Sequence, residues 1–425
     1  MLHPQQRQAY TAFLIWNGGF AFAFTLITTV NLVYQFQVAH LTPLQLVLVG
    51  TVLEIVCFLA QIPTGVLADV YSRRWAIIGG TFLVGLGFTI EGVFPHFAAI
   101  LLAQVCWGLG VTLTNGADGA WLASEVGEEH LAVVYLRAGQ LGQALSLLAI
   151  LLSVALASIR LNLPVVLGGV LFMALAISLP TFLHEHAFTP PPRAERTNWQ
   201  MFVQTMRQGT RTVRVSPMLR VFMLIELCYG LASEGFDRLW QPFFLTSFAL
   251  PHSSWLQPVA WIGISQFGAA LLGIGAAQFM RTRIDRDPRW QSVTALLIIN
   301  GMRIASFVLF ALAGNAAVAL MMLWMVSVLG QLNHPLYDAR FIRSTAPAVR
   351  ATVLSLRGQV NAFGQIAGGP GVGVIGNRSL RAAMLVVGVM LSPVLPLLVT
   401  VRHVETRASM TESNEGGRSA ADKGA

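Results

Sequence analysis

Long apolar stretches separated by short polar segments run along almost the whole chain. Between Ala9 and Val401 about twelve of them are long enough to cross a bilayer, because a hydrocarbon core about 30 Å thick needs roughly 20 residues per helix. We number the predicted helices 1–12 in chain order: 10–36, 44–67, 75–94, 98–122, 134–158, 164–183, 218–247, 257–280, 291–313, 316–340, 351–375 and 380–401. The pattern predicts an all-α membrane protein.

The second half of this pattern resembles the first. Three anchors recur 220 positions apart: Gly110, Asp118 and Arg137 correspond to Gly330, Asp338 and Arg357. Such duplication is typical of transporters that hold substrate between two repeats. We predict two six-helix pseudo-repeats over 1–183 and 218–401, a cytoplasmic linker over 184–217 and a disordered tail over 402–425.

The linker contains an amphipathic pattern. Phe202, Met206 and Val213 would share one face of a helix, and Arg207, Arg211 and Arg214 the other. A helix of this kind suits an anionic membrane surface. A solvated linker is the alternative interpretation.

Composition and charge agree with a membrane protein. Hydrophobic residues make up 55% of the chain and charged residues 11%, with a mean hydropathy of +0.65. The net charge of +8 could indicate nucleic-acid binding, but the arginines follow membrane edges rather than a soluble domain. Most of them fall in one set of loops, so both termini are predicted to be cytoplasmic, in the inner (plasma) membrane. The three cysteines lie in predicted helices and suggest no disulfide framework.

The segment QIPTGVLADVYSRR joins helices 2 and 3. Gly65 would permit close helix approach, and Asp69 and Arg73 can pair. With Arg74, the string resembles the hallmark loop of the major facilitator superfamily, in which a Gly is followed by an Asp four residues later and then by a basic pair. The resemblance implies two six-helix bundles that work by alternating access.

The same resemblance implies a conformational latch. Asp69 would cap the start of helix 11 near Ala351, and Arg73 would pair with an acid at the end of helix 4. Asp118 is the first candidate for that acid and Glu125 the second. The latch would hold the outward-open state.

Two features of the sequence argue against a drug antiporter. Gln104 stands where proton antiporters of the family often carry an Arg, and helix 5 lacks the Gly and Pro signature that is typical of drug antiporters.

Helix 7 carries the densest group of charges within a predicted span. Glu226, Glu234 and Asp237 fall on one quarter of the helix surface at about 100° per residue. Family resemblance implies that helices 1, 4, 7 and 10 line the central cavity. We expect Glu226 or Glu234 to carry protons or bind substrate, because charged groups in the membrane usually face a cavity or a partner. Structural ion pairs with Arg238 or Arg303 are the alternative.

Other polar and aromatic residues complete the candidate site. Helix 10 offers Gln331 and His334 on one face, helix 1 offers Asn31, and helices 7 and 4 offer aromatic side chains. The candidate aromatic lining consists of Tyr229 and Trp240, with Phe24 and Trp107 beside them. Such walls suit a mid-sized amphipathic organic molecule. His334 would relay protons or be simply hydrogen bonded.

Remaining charges are expected to have structural roles. We predict that Arg137 and Arg357 pair with the acids at the ends of helices 4 and 10. Glu54 and Glu91 are expected to pair locally, and the His184, Glu185 and His186 cluster to be solvated, without a metal.

The resemblance implies a secondary transporter, and we expect export of a small organic compound, driven by protons, because similar family members with the PTG and AD string are commonly efflux proteins. Uptake of a nutrient or metabolite is the first alternative. A membrane enzyme or a sensor is the second, although the sequence contains no nucleophile and base constellation, no HExxH motif and no sizeable soluble domain. No cofactor or nucleic-acid partner is implied, and the protein is expected to act as a monomer in the bilayer.

Overall fold

The fold is a bundle of long helices. The computed structural model describes residues 3–186, 207, 209–251, 257–286 and 292–404, and these residues contain helices and no strand. The first six helices are Pro4–Thr28 with Asn31–Gln37, Pro43–Val70, Arg73–Val93, Phe97–Thr114 with Ala117–Val126, Leu131–Ala157 and Leu163–Phe182. The second six are Pro217–Ser247, Pro258–Arg286, Val293–Leu312, Ala316–Arg343, Arg350–Arg378 and Leu380–Leu391, the last continued by 394–404.

The predicted all-α architecture is confirmed. Among the described residues ten helical segments are long and apolar enough to cross a membrane, and helix 7 makes eleven when it is joined to the short helix Gly209–Val215. The two helices of that pair meet at 106°. Helix 11 is as long as its neighbours but more polar, and its polar side chains line the cavity described below.

Local chemistry fixes where the helices begin. Proline stands at the first turn of several, where its missing N–H costs nothing. Ser, Thr and Asn side chains accept a hydrogen bond from the first turn of others, which is the standard N-cap interaction. The capping residues are Thr42, Ser72, Ser216, Ser292, Asn315 and Ser379. Ser379 alone separates helices 11 and 12.

Helices 1 and 4 are each broken once. Helix 1 breaks at Thr29 and Val30, and helix 4 breaks at Asn115 and Gly116. Gly116 has a φ of +85°, a left-handed conformation that glycine adopts without steric cost.

The two six-helix halves are linked at one end of the bundle, and Gln359 Nε2 of helix 11 also donates to Gln61 Oε1 of helix 2 at 2.9 Å nearer the other end. We call the end where helix 1 begins and helix 12 ends the terminal face, and the opposite end the far face. At the far face, the main-chain oxygen of Thr29 accepts hydrogen bonds from Gln241 Nε2 at 3.5 Å and Gln266 Nε2 at 3.1 Å. Leu44 N donates to Asn377 Oδ1 at 2.9 Å. The halves are thus joined across the far face.

Glycines let helix 11 pack tightly between helices 7 and 2. A Cβ added at Gly364 would lie 2.7 Å from the main-chain oxygen of Leu227 in helix 7, and one at Gly373 would lie 3.0 Å from Leu44 in helix 2. The close helix approach predicted at Gly65 is wrong in this conformation, because a Cβ there would meet no atom within 4 Å.

Parts of the sequence analysis lie outside the described residues. These are most of the linker and the tail after residue 404. At the end of the linker, 209–215 is helical, and a Cβ at Gly209 would touch Thr352 of helix 11. This segment therefore packs on the bundle.

We predict that Gly364→Ala destabilises the protein relative to Gly371→Ala. Both changes add one methyl group within helix 11, so the gain in helix propensity cancels. At Gly364 the methyl group meets helix 7 backbone, whereas at Gly371 it meets nothing within 4 Å. Overpacking of this kind costs about 1–3 kcal/mol. Thermal unfolding of the purified variants measures the difference, and equal midpoints would contradict the close packing.

Candidate functional site

A cavity opens between the halves towards the terminal face. It has three adjoining chambers: an inner chamber of about 340 Å³, a mouth of about 560 Å³ and a side chamber of about 330 Å³. Helices 7, 9, 10 and 11 supply most of the wall, and helix 2 adds Glu54, Cys57, Phe58 and Gln61 at the mouth. The wall belongs mainly to the C-terminal half.

An ion cluster stands where the inner chamber meets the mouth. Arg357 of helix 11 binds Glu226 of helix 7, Nε to Oε2 at 3.0 Å, and Asp338 of helix 10, Nη2 to Oδ1 at 2.7 Å. Asn361 Nδ2 donates to the other Glu226 oxygen at 2.8 Å. The Glu226 side chain is 9% exposed and that of Asp338 is 45% exposed. We call Glu226, Asp338, Arg357 and Asn361 the Arg357 cluster.

Aromatic rings hold Arg357 in place. Its guanidinium carbon lies 5.2 Å from the ring centres of both Tyr337 and Phe341, at the distance of a cation–π contact. The Tyr337 hydroxyl donates to the main-chain oxygen of Phe222 at 2.7 Å, which ties helix 10 to helix 7. The cluster is therefore rigidly supported.

The duplicated anchors behave differently in the two halves. The predicted pair between Arg357 and the acid of helix 10 is confirmed. The equivalent pair in the first half is not formed, since Arg137 is exposed and makes no ion pair with any described residue. Asp118 instead lies in the first turn after the break in helix 4, where its charge favours the helix N-terminus.

Glu234 is sealed between helices. Its Oε1 binds Arg238 Nε at 3.0 Å, one turn along helix 7, and both side chains are largely buried. Side-chain atoms of the pair occupy the space in front of Gly50 in helix 2, and Glu234 Cγ is next to Gly369 of helix 11. Glu234 therefore lies at an interface between helices. The alternative interpretation, a structural ion pair, therefore holds for Glu234, whereas the pair of Asp237 with Arg238 that it named is not formed.

Asp237 and Arg303 both line the inner and side chambers. Neither makes an ion pair with a described residue, so the alternative of a structural pair between Arg303 and an acid of helix 7 is not borne out. The Arg303 Nε is buried without a hydrogen-bond partner among those residues. The guanidinium carbon lies 5.6 Å from the ring centre of Phe307.

Several predicted site residues do line the chambers. His334 is part of all three walls, and Gln331 and Trp240 face the side chamber. The Tyr229 hydroxyl donates to Asn300 Oδ1 at 3.0 Å and accepts from Asn333 Nδ2 at 3.1 Å, which fixes its ring at the inner chamber. The sequence analysis did not identify Asn300 and Asn333. Their only signal in the sequence was that each is a polar residue within a predicted membrane helix, helix 9 or helix 10.

Other residues predicted for the cavity pack inside the N-terminal half. Phe24 and Trp107 meet edge to face, with ring centres 5.7 Å apart. Asn31 lies buried beside a network around Glu91 of helix 3, whose carboxylate accepts from Gln35 Nε2 at 2.6 Å and Gln104 Nε2 at 3.2 Å. The local pairing predicted for Glu91 is confirmed, with amides as the partners.

The predicted latch region is partly visible. The side chain of Asp69 lies outside the described residues. Arg73 Nη1 donates to the Ala120 main-chain oxygen in helix 4 at 3.2 Å, and Arg74 Nη2 donates to the Pro180 oxygen at 2.8 Å. No ion pair joins Asp118 to Arg73. The latch stays a prediction.

Glu185 caps the start of helix 3, so the prediction that it is merely solvated is wrong. Its carboxylate accepts from the Ser72 hydroxyl at 2.5 Å and from Arg73 N at 3.0 Å. A carboxylate at a helix N-terminus satisfies free N–H groups and complements the helix dipole.

Comparisons with known proteins agree with this architecture. The family model of the Major Facilitator Superfamily matches residues 11–369. An uncharacterized MFS-type transporter of Bacillus subtilis (strain 168), YxaM, is 22% identical over 349 residues, covering 81% of this chain and 84% of the relative.

Solved structures share the fold at low identity. The nucleoside transporter NupG superposes with a TM-score of 0.73 at 14% identity, covering 92% of this chain and 98% of its own. A POT family transporter in complex with a thioalcohol-conjugated peptide gives a TM-score of 0.71 at 12% identity, with 94% and 96% covered. Together with the family match over most of its length, the duplicated helical bundle and the hallmark loop between helices 2 and 3, this places the chain in the Major Facilitator Superfamily, as a membrane transporter of that type.

Proposed function

We propose that the protein moves a small organic solute across the membrane by alternating access, coupled to protons through the Arg357 cluster. The cavity is open at the terminal face and closed at the far face, as one half-cycle of such a mechanism requires. The Arg357 cluster stands between the mouth and the inner chamber, on the route of any solute that enters.

The charge balance of the cluster supports proton coupling. Two carboxylates, Glu226 and Asp338, share the single guanidinium of Arg357. One negative charge is therefore left without a partner in a region where charge is costly. A proton taken from water at the mouth onto Glu226 would remove that charge.

Protonation would also change how the helices are joined. Neutral Glu226 attracts Arg357 less strongly, so the guanidinium would turn to Asp338, and the bond from Asn361 would weaken. The contact between helices 7 and 11 near the mouth would loosen as a result. Binding of one proton by Glu226 would in this way change the packing of helices 7 and 11, which line the cavity.

The direction of transport is proposed by analogy with the family. We place the terminal face in the cytoplasm, because most arginines of the loops lie there. We propose export of the solute in exchange for protons, because similar family members with the PTG and AD string are commonly efflux proteins. Uptake is the second candidate. Nucleosides and peptides are the cargoes of the proteins with a similar fold, so these are the first solutes to test.

We expect Glu226→Gln to abolish proton-driven transport but leave exchange of solute intact. Glutamine keeps the shape of the side chain and one acceptor oxygen, but it cannot carry the proton and loses one of the two bonds that Arg357 and Asn361 donate to Glu226. Proteoliposomes are loaded with radiolabelled nucleosides, dipeptides or toxic compounds to find a transported solute, and its movement is then measured with and without an imposed pH gradient. The gradient should stimulate the unmodified protein and have no effect on the variant.

Glu128→Gln is the matched control, since Glu128 is exposed on a loop. It should retain full stimulation. Equal stimulation of the Glu226 variant and the control would overturn the proposed coupling. Running the assay in oriented vesicles of both sidedness decides between export and uptake.

If Asp69 and Arg73 form the latch, exchanging their charges should restore part of the transport activity that each single change removes. Asp69→Arg and Arg73→Asp should each reduce transport, and the double variant should retain more activity than either single one, because the opposite charges can pair again. A double-mutant cycle on initial transport rates measures the coupling. Strictly additive losses would count against the latch.

A further inference from the structure

We propose that the inner chamber binds a zwitterion, with an anionic oxygen group of the solute at Arg303 and an ammonium group at Asp237. The inference rests on the proposed transport function, and it concerns the solute rather than the coupling ion. Its basis is a pair of opposite charges that line the same two chambers and make no direct ion pair with each other.

The guanidinium of Arg303 is fixed in place by its neighbours and has donors that a ligand could use. Its Nε is buried and lacks a hydrogen-bond partner among the described residues. It stacks over Phe307, and its terminal nitrogen lies beside Gly330, where a Cβ would be 3.4 Å away. An unpaired guanidinium inside a membrane bundle is costly, and a carboxylate or similar anion matches its fork of donors.

Asp237 is the matching anion. Its neighbour in sequence, Arg238, is already bound to Glu234 at 3.0 Å. Asp237 makes no hydrogen bond or ion pair with any other described residue, and it lines the chambers rather than a helix interface. A carboxylate in this position favours a cation that arrives with the solute.

No direct ion pair joins Asp237 to Arg303, and both line the inner and side chambers, so a solute in either chamber can reach both charges. A solute with one charge would leave the other protein charge uncompensated, and that penalty selects against it. A zwitterion compensates both at once. The chamber therefore favours molecules that carry an ammonium group and an anionic group within a few ångströms of each other.

The remaining walls define the body of the solute. Phe236 and Phe307 meet edge to face with ring centres 4.7 Å apart, and Tyr229 stands nearby. The inner chamber of about 340 Å³ lies at the small end of the range for ligand sites. An aromatic or apolar body of amino-acid or dipeptide size fits these walls.

Blocked ligands test the proposal on the unmodified protein. The probes are phenylalanine and alanyl-phenylalanine in free form, as the N-acetyl derivative and as the C-terminal amide. Binding is read from the ligand-induced rise in unfolding temperature of the full purified chain. We expect at least one free probe to bind on the order of tenfold more tightly than either of its blocked forms.

Variants assign each charge to its residue. Arg303→Gln should lose the preference for the free carboxylate over the amide but keep the preference for the free amine. Asp237→Asn should do the reverse. Arg378→Gln, an exposed arginine at the far face, should bind all probes like the unmodified protein.

Two results would overturn the proposal. One is equal binding, or no binding at millimolar concentration, of the free and blocked probes by the unmodified protein. The other is a loss of both preferences together in each variant. Glu226→Gln should keep both preferences, so a failure of proton coupling in the transport assay is separable from a failure of zwitterion binding.

Discussion

The cost of charge inside a bilayer governs how this bundle is built. Arg357 meets that cost by joining three helices: from its place on helix 11 it binds an acid on helix 7 and another on helix 10, and two aromatic rings of helix 10 cover its flank. A guanidinium can serve two carboxylates because its donors fan out in one plane. The same residue therefore supports the packing of the C-terminal half and leaves one negative charge at the cavity unbalanced. In this structure the pairing of Arg357 with Glu226 and Asp338 both holds the helices together and sets the charge at the cavity.

The helices could be predicted from sequence because the length of an apolar stretch and the residues that cap a helix are local properties of the chain. Pro217 and Ser216 mark the start of helix 7, and the observed helix differs from the predicted one by a single residue at that end. The duplicated anchor Asp338 to Arg357 also predicted a real contact. Both cases depend only on periodicity, capping chemistry and internal comparison, which one sequence contains.

The partners of the buried charges could not be predicted, because they depend on which helix lies opposite. Helical spacing places Glu226, Glu234 and Asp237 on one face, yet they meet three different environments. Glu226 faces helix 11, Glu234 faces glycines of helices 2 and 11, and Asp237 faces the chamber. Likewise the spacing of Glu185 to Ser72 gives no hint that the carboxylate caps helix 3. Side-chain identity alone does not distinguish a sealed pair from a group that faces solvent.

The break in helix 1 has a consequence for how sequence can vary at the junction of the halves. The oxygen that receives both glutamine donors belongs to the backbone of residue 29 and not to its side chain. Substitutions at that position can thus preserve the acceptor, whereas Gln241 and Gln266 contribute amide groups that few residues can replace. Selection for a closed far face should accordingly act on the two donors in the C-terminal half and leave the identity of the accepting residue comparatively free to drift.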